Sequence, residues 1–443
     1  IQKQALSNGL PVWVVEQHEV PVAQVNLVVL SGSADDPAGK FGIASLTAAM
    51  LMEGAGSRTS LELADAIDFL GADITAGSTS DFSAVRLHSP VARLADALPI
   101  MADIAERPAF AQADLDRIRQ QRLTALLQSR DDPNTIASLT FSRVLYGTAH
   151  RFGTATMGTA ETVRSFTTDD LRAFYAARFR PDNAAIVVVG DVTPATVLPL
   201  VEQSFGAWKA PAGPAPARVR QPAPPQRTRR EVYLVDKPNA PQSQIRIGAI
   251  GVPRSTPDYF PIEVMNTVLG GSFSSRLNLN LREEHGYTYG ASSFFDMRID
   301  AGPFTAFAGV QTDKTAESLK EFFAELGGMQ QPVEAAELGR GKNYVSLALP
   351  GEFETTGSIS RRLEESLVYR LPDDYFARYV RNIEAVTAAD VQRVARSYVQ
   401  PEKVAVVVVG DRKAIEPAVK ALNLGPITIL TVDEVFGPAP AAR

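Results

Sequence analysis

Cysteine is absent from all 443 residues, which removes disulfides, thiolate nucleophiles and cysteine-based metal sites in one step. Histidine is scarce: His18, His88, His150 and His285 stand singly along the chain, and a lone histidine is more often a packed or surface residue than a ligand. No run of ~18 or more uncharged apolar residues occurs, so no segment reads as a bilayer-spanning helix. The formal net charge of −6 supplies no broad basic surface, which disfavours a nucleic-acid partner. A Gly-x-Ser-x-Gly elbow is missing, so pairing any serine with one of four histidines as a hydrolytic triad is arbitrary. Phosphate-binding loops of the Gly-x-x-x-x-Gly-Lys-Ser/Thr type are missing too.

What is present is the composition of an ordinary globular protein, 45% apolar and 21% charged. The length exceeds what one core supports. The chain also repeats itself. Pro181-Asp182-Asn183-Ala184-Ala185-Ile186-Val187-Val188-Val189-Gly190-Asp191 matches Pro401-Glu402-Lys403-Val404-Ala405-Val406-Val407-Val408-Val409-Gly410-Asp411, at an offset of 220. The same offset relates Phe166–Leu171 to Val386–Val391 and Pro21–Val25 to Pro241–Ile245. In both copies a threonine followed three residues later by aspartate, Thr167/Asp170 and Thr387/Asp390, reads as a helix N-terminus.

Two homologous domains are therefore expected, over residues 1–209 and 231–443, joined by a proline-rich linker at 210–230. The linker arginines, Arg218, Arg220, Arg227, Arg229 and Arg230, read as solvated. In the first copy, strands are expected at Val12–Val15, Gln24–Leu30, Ile74–Thr79 and Ala84–His88. A helix is expected from Gly42 to Met52, and a capped one from Thr59, with Leu63, Ile67 and Leu70 on one face, ending at Gly71. Long helices follow between Arg93 and Gln128. Strands that run consecutively before long helices indicate an α+β class, each domain a mainly antiparallel sheet covered by helices.

The stretch Leu269-Gly270-Gly271-Ser272-Phe273-Ser274-Ser275-Arg276-Leu277, continuing to Gly290, is the candidate for chemistry. A glycine turn leads into a short helical run carrying Arg282, and Gly286 breaks that run before Tyr287 and Tyr289 in a β-prone segment. This order can aim a guanidinium and a phenol at one spot. Taken alone, it reads more readily as a surface cation beside two ordinary half-buried strand aromatics.

In Gly42-Ile43-Ala44-Ser45-Leu46-Thr47-Ala48-Ala49-Met50-Leu51-Met52-Glu53-Gly54, positions 45, 48 and 49 share a helix face. The surrounding pattern resembles the M16 (pitrilysin or insulinase-like) metallopeptidases, whose catalytic members carry His-x-x-Glu-His there. In this chain the three positions are Ser45, Ala48 and Ala49, and the family's further glutamate ligand, placed against Asp131-Asp132-Pro133, aligns with Ala125. A hydroxyl and three methyl groups cannot build a catalytic zinc site, and Glu53 and Thr47 form no cluster with a histidine. The duplication, the linker and the Ser274-Ser275-Arg276-Leu277 turn resemble the short-chain branch, in which a zinc-bearing subunit often pairs with one lacking the ligands. The departures assign this chain to the second kind, with no cofactor of its own and zinc in the partner.

In that family an arginine and a tyrosine seven residues apart in the second domain face the zinc site, a spacing that Arg282 and Tyr289 share. The resemblance thus implies a heterodimer: a homologous zinc-bearing subunit brings the metal, and this chain brings Arg282 and Tyr289. The substrate is expected to be an extended or unfolded peptide adding as a strand to a sheet edge, with Gly270, Gly271 and Ser272 as peptide contacts; a simple tight turn is the plainer reading of the glycines. Tyr287 competes with Tyr289 for the role, because alternation places both on one strand face. A purely structural subunit with no part in proteolysis is the alternative. A first residue of Ile1 rather than methionine suggests a lost N-terminal piece, a secretory leader among the candidates, and favours a bacterial periplasm over the cytoplasm.

Overall fold

A computed structural model describes residues 1–438. The chain forms two compact units, and each draws on both halves of the sequence. The first takes Ile1–Thr124, Ala155–Arg220 and Pro350–Pro372; the second takes Ala125–Thr154, Gln221–Leu349 and the chain from Asp373 onward.

In the first unit six strands, β1 (Gln2–Ala5), β2 (Pro11–Glu16), β3 (Val22–Val29), β4 (Asp73–Ser78), β5 (Ser83–Pro90) and β6 (Ala184–Gly190), form a sheet in the order β1-β2-β6-β3-β5-β4. Only β2 and β6 run parallel. The second unit has β7 (Glu231–Asp236), β8 (Gln242–Ile250), β9 (Thr288–Phe295), β10 (Pro303–Gln311), β11 (Ala405–Gly410) and β12 (Ile427–Leu430), in the order β12-β7-β11-β8-β10-β9. Here β7 is parallel to both β11 and β12, and the other pairs are antiparallel. These are two α+β domains of one design. The internal repeat reaches down to the register: Val25 pairs with Val188, and 220 residues later Ile245 pairs with Val408.

Local signals act as the sequence suggests. Thr59 and Glu62 close a capping box ahead of the helix Ser60–Phe69, whose Leu63 and Ile67 are buried, and Gly71 adopts φ +61° after it. Thr167/Asp170 and Thr387/Asp390 form two further boxes at the 220 offset. The strand β6 is buried along its whole length, which explains why it reads as an unbroken apolar run rather than an alternating one.

What covers each sheet comes from far along the chain. Over β3 and β6 of the first unit lies the helix Thr356–Val368, with Ile359 and Leu363 packed on Val187 and Val189. Glu364 of that helix receives two bonds of 2.8 Å from Arg86 and one of 2.7 Å from Asn26. Over β8 and β11 of the second unit lies the helix Pro133–Tyr146, started by Asp132, whose Asn134 accepts from Arg246. Burial without a full counter-charge holds the Arg246 guanidinium down to about 10.

The linker 210–230 contains no regular structure, but its arginines are not simply solvated. Arg218 bonds the buried Asp81. Arg227 reaches Glu231 and the Val144 carbonyl, and Arg230 lies over Phe323, 4.3 Å from the ring centroid. A linker poor in apolar side chains is thus fastened by guanidinium groups, whose flat faces and in-plane donors suit rings and carbonyls alike.

Candidate functional site

Ser45, Ala48 and Ala49 sit on the helix Ile43–Met50, entered through Gly42 at φ +104°. Ala48 is buried, while Ser45 and Ala49 are partly exposed along one stripe. The Ser45 carbonyl accepts a 2.8 Å bond from Nη2 of Arg122, and its hydroxyl a 3.2 Å bond from the same atom. Glu53 pairs with Arg117. Among the described residues no group of three or more histidine, aspartate or glutamate side chains converges as a metal would require. Zinc does not fit this face: its donor set is a hydroxyl and methyl groups, and a guanidinium already lies against it.

The four histidines are scattered over the two units, and three of them have partners. His18 bonds Asp191 and Glu16, at 2.7 and 3.2 Å, and both bonds raise its pKa. His150 accepts from the Phe152 amide and contacts the Pro222 carbonyl, and burial lowers its pKa. His88 is exposed on β5, and His285 stacks on Tyr287 with ring centroids 4.9 Å apart.

In the second unit, the helix Tyr259–Asn266 widens into a π-type turn over Thr267–Gly271, and the short helix Arg276–Asn278 widens likewise over Leu279–Glu284. Leu269, Leu277 and Leu281 are wholly buried and pin both turns to the core. A side chain at Gly270 would fall on the backbone nitrogen of Ser293 in β9, and one at Gly271 would lie 2.8 Å from the Asn266 amide. The close approach that these glycines permit is therefore to the chain's own strand. The Ser272 hydroxyl donates to the Thr267 carbonyl at 3.1 Å.

The outer edge of β9 is capped by side chains. Asn266 donates to the Ser293 carbonyl at 3.0 Å and accepts from its hydroxyl at 2.8 Å, while Asn278 accepts from the Ala291 amide at 3.3 Å. These asparagines hold two of the main-chain groups that an added strand would need.

Arg282 leaves the second wide turn with its guanidinium 4.7 Å from the Phe273 ring centroid and its Nε 3.4 Å from Glu283. A guanidinium over a ring is held by the charge while keeping donors available for an acceptor. Gly286, at φ +65°, turns the chain back into β9. The two tyrosines then diverge. Tyr287 precedes the strand and is half-buried against the core on His285. Tyr289 lies where the β9–β10 register shifts, is 90% exposed, and its hydroxyl makes no hydrogen bond among the described residues. Strand alternation does not govern the pair, because Tyr287 lies outside β9, which begins at Thr288, and Tyr289 sits within the irregularity itself.

Two contributors escape sequence reasoning. Arg122 is one of several arginines in the charged helix Gln112–Gln128 and reads as surface. Phe273, 62% exposed within a polar turn, could have been found as an aromatic out of place.

Comparison with known proteins agrees with this architecture. Residues 12–156 match the model of the insulinase (M16) peptidases, and residues 165–345 match that of the peptidase M16 inactive domain. An uncharacterized zinc protease of Streptomyces coelicolor is 26% identical over 409 residues, covering 89% of this chain and 86% of its own length. A second, from Bacillus subtilis, is 25% identical over 365 residues, with 82% and 87% covered. Among solved structures, a peptidase M16 inactive domain from Pseudomonas fluorescens superposes with a TM-score of 0.85 at 27% identity, over 92% of this chain and 98% of that one. A chain of complex III2 from Candida albicans shares the fold at a TM-score of 0.79 and 18% identity, over 95% and 99%. With matching models over both halves and the same paired α+β domains, the chain belongs to the M16 (insulinase) peptidase family.

Proposed function

We propose that this chain is the zinc-free partner subunit of a heteromeric M16 metallopeptidase, binding an extended peptide and supplying Arg282 and Tyr289 to the zinc site of a homologous subunit. The observation that carries the reading is Tyr289: a phenol that is 90% exposed, bonded to no described residue, and seven residues after an arginine already stacked in place. An aromatic side chain left so open contributes little to its own fold, which favours a role toward another molecule. When a metal-bound water attacks a peptide carbonyl, negative charge grows on the carbonyl oxygen, and a fixed O–H donor stabilises it. Arg282, with in-plane donors free beyond Glu283, would hold a neighbouring substrate carbonyl. With the Ser293 carbonyl and the Ala291 amide held by asparagines, such a peptide would meet the side chains of Phe273, Arg282 and Tyr289 rather than pair with the main chain there.

The test is peptide cleavage by this chain alone, by an M16 subunit carrying His-x-x-Glu-His alone, and by the mixture, each with and without a chelator. Strong cleavage by the mixture only, abolished by the chelator, supports the proposal. Chelator-resistant cleavage by this chain alone overturns it. A mixture that assembles with no gain in activity favours a purely structural subunit.

A further inference from the structure

Arg122 carries a charge that the first unit leaves unanswered. Its neighbours on the same helix have acids: Arg117 pairs with Glu53 and Asp114, and Arg119 with Asp116. Arg122 has none among the described residues. Its hydrogen-bond partners are the Ser45 carbonyl and hydroxyl, both taken by Nη2, while Nη1 is shut off from solvent and meets no acceptor among the described residues. Burial alone holds its pKa down to about 10. Even so, the group is a full cation at neutral pH. A charge withdrawn from water without a counter-charge is costly, and such a charge is relieved by an anion.

We propose that Arg122 and Ser45 form a binding site for a carboxylate. The ligand would exchange the Ser45 carbonyl for a stronger, charge-assisted acceptor, and the Ser45 hydroxyl, free to rotate, would turn from acceptor to donor toward it. The stripe of Ser45 and Ala49 is partly exposed, which gives access from that side. One guanidinium and one hydroxyl match a monoanion. A phosphate dianion would leave one negative charge uncompensated in a half-buried place. A divalent cation is repelled by the same guanidinium, so the face that lacks zinc donors has the opposite ligand preference. The carboxylate has two possible sources, a small acid or the acidic group of a peptide. This site is independent of the partner-subunit reading, since it lies within the first unit and needs no second chain.

Thermal unfolding of the full chain in sodium chloride, sodium acetate and sodium phosphate at equal ionic strength tests the site. At an acetate concentration ten times its dissociation constant, the midpoint should rise by about 2 °C over chloride, and phosphate should do less. Arg122→Met keeps the apolar stem and removes the charge; it should abolish the acetate increment and melt no lower than the wild type in chloride. A peptide with a free C-terminal carboxylate, compared with its amide, separates the two sources. An increment that persists in Arg122→Met, or none in the wild type, overturns the proposal. If Arg122→Met does not fold, saturation-transfer NMR from the protein to the acetate methyl decides between wild type and Ser45→Ala: a signal weakened in Ser45→Ala supports the site, and an undiminished one overturns it.

Discussion

Replacing Tyr289 by phenylalanine separates function from stability. The phenol is 90% exposed and bonded to no described residue, so its removal breaks no contact in the fold. Surface substitutions away from special features fall within about 0.5 kcal/mol, which leaves the unfolding midpoint of Tyr289→Phe unchanged to about 1 °C. In the mixed peptidase, by contrast, the same oxygen is lost from the transition state. Loss of one positioned donor to a growing oxyanion costs about 3 kcal/mol, or roughly a hundredfold in kcat. Because the donor acts on charge that develops only during attack, KM should change little. The assay is steady-state cleavage of a fluorogenic peptide by the assembled mixture, with assembly checked by size-exclusion chromatography. Tyr287→Phe is the internal control, since that ring is half-buried on His285 and sits outside β9. A Tyr289→Phe mixture within threefold of wild type, or a large loss confined to Tyr287→Phe, refutes the assignment.

Other outcomes follow from particular contacts. Glu364→Gln leaves Arg86 without its bidentate partner on a carboxylate only 4% exposed, and should cost about 3 kcal/mol in urea unfolding; a loss below about 1 kcal/mol would show the pair to be dispensable. Burial raises the Glu106 carboxyl from 4.5 to about 7, with Oε1 unpartnered. The unfolded chain therefore releases this proton first, so Glu106 lowers stability as pH rises from about 4.5 to 7, and Glu106→Gln should flatten that fall in a pH series of unfolding midpoints. Gly270→Ala drives a methyl into the Ser293 backbone and should lower stability by about 1–3 kcal/mol, read by thermal melting. Chelator should leave the midpoint of this chain alone unchanged, and elemental analysis should find no stoichiometric zinc.

The repeat at 220 residues, visible as matched letters around Pro181 and Pro401, determined both sheets and the pairing of Val25 with Val188 and of Ile245 with Val408. Helix starts at Thr59, Thr167 and Thr387 were equally legible, because a capping box is closed by residues three apart. The want of metal donors at Ser45, Ala48 and Ala49 was legible as well, since it depends on side-chain chemistry at one helix face. Tertiary structure alone decided the rest. It laid the helix Thr356–Val368 on the first sheet and the helix Pro133–Tyr146 on the second, joined through Glu364 with Arg86 and through Asn134 with Arg246. It also set Tyr289 apart from Tyr287, turned Gly270 toward β9, and brought Arg122 to Ser45. The physical reason is range. Caps, periodicity and donor chemistry act within a few residues, whereas which sheet a helix covers, and whether a buried charge meets an acid, depend on partners distant in the chain.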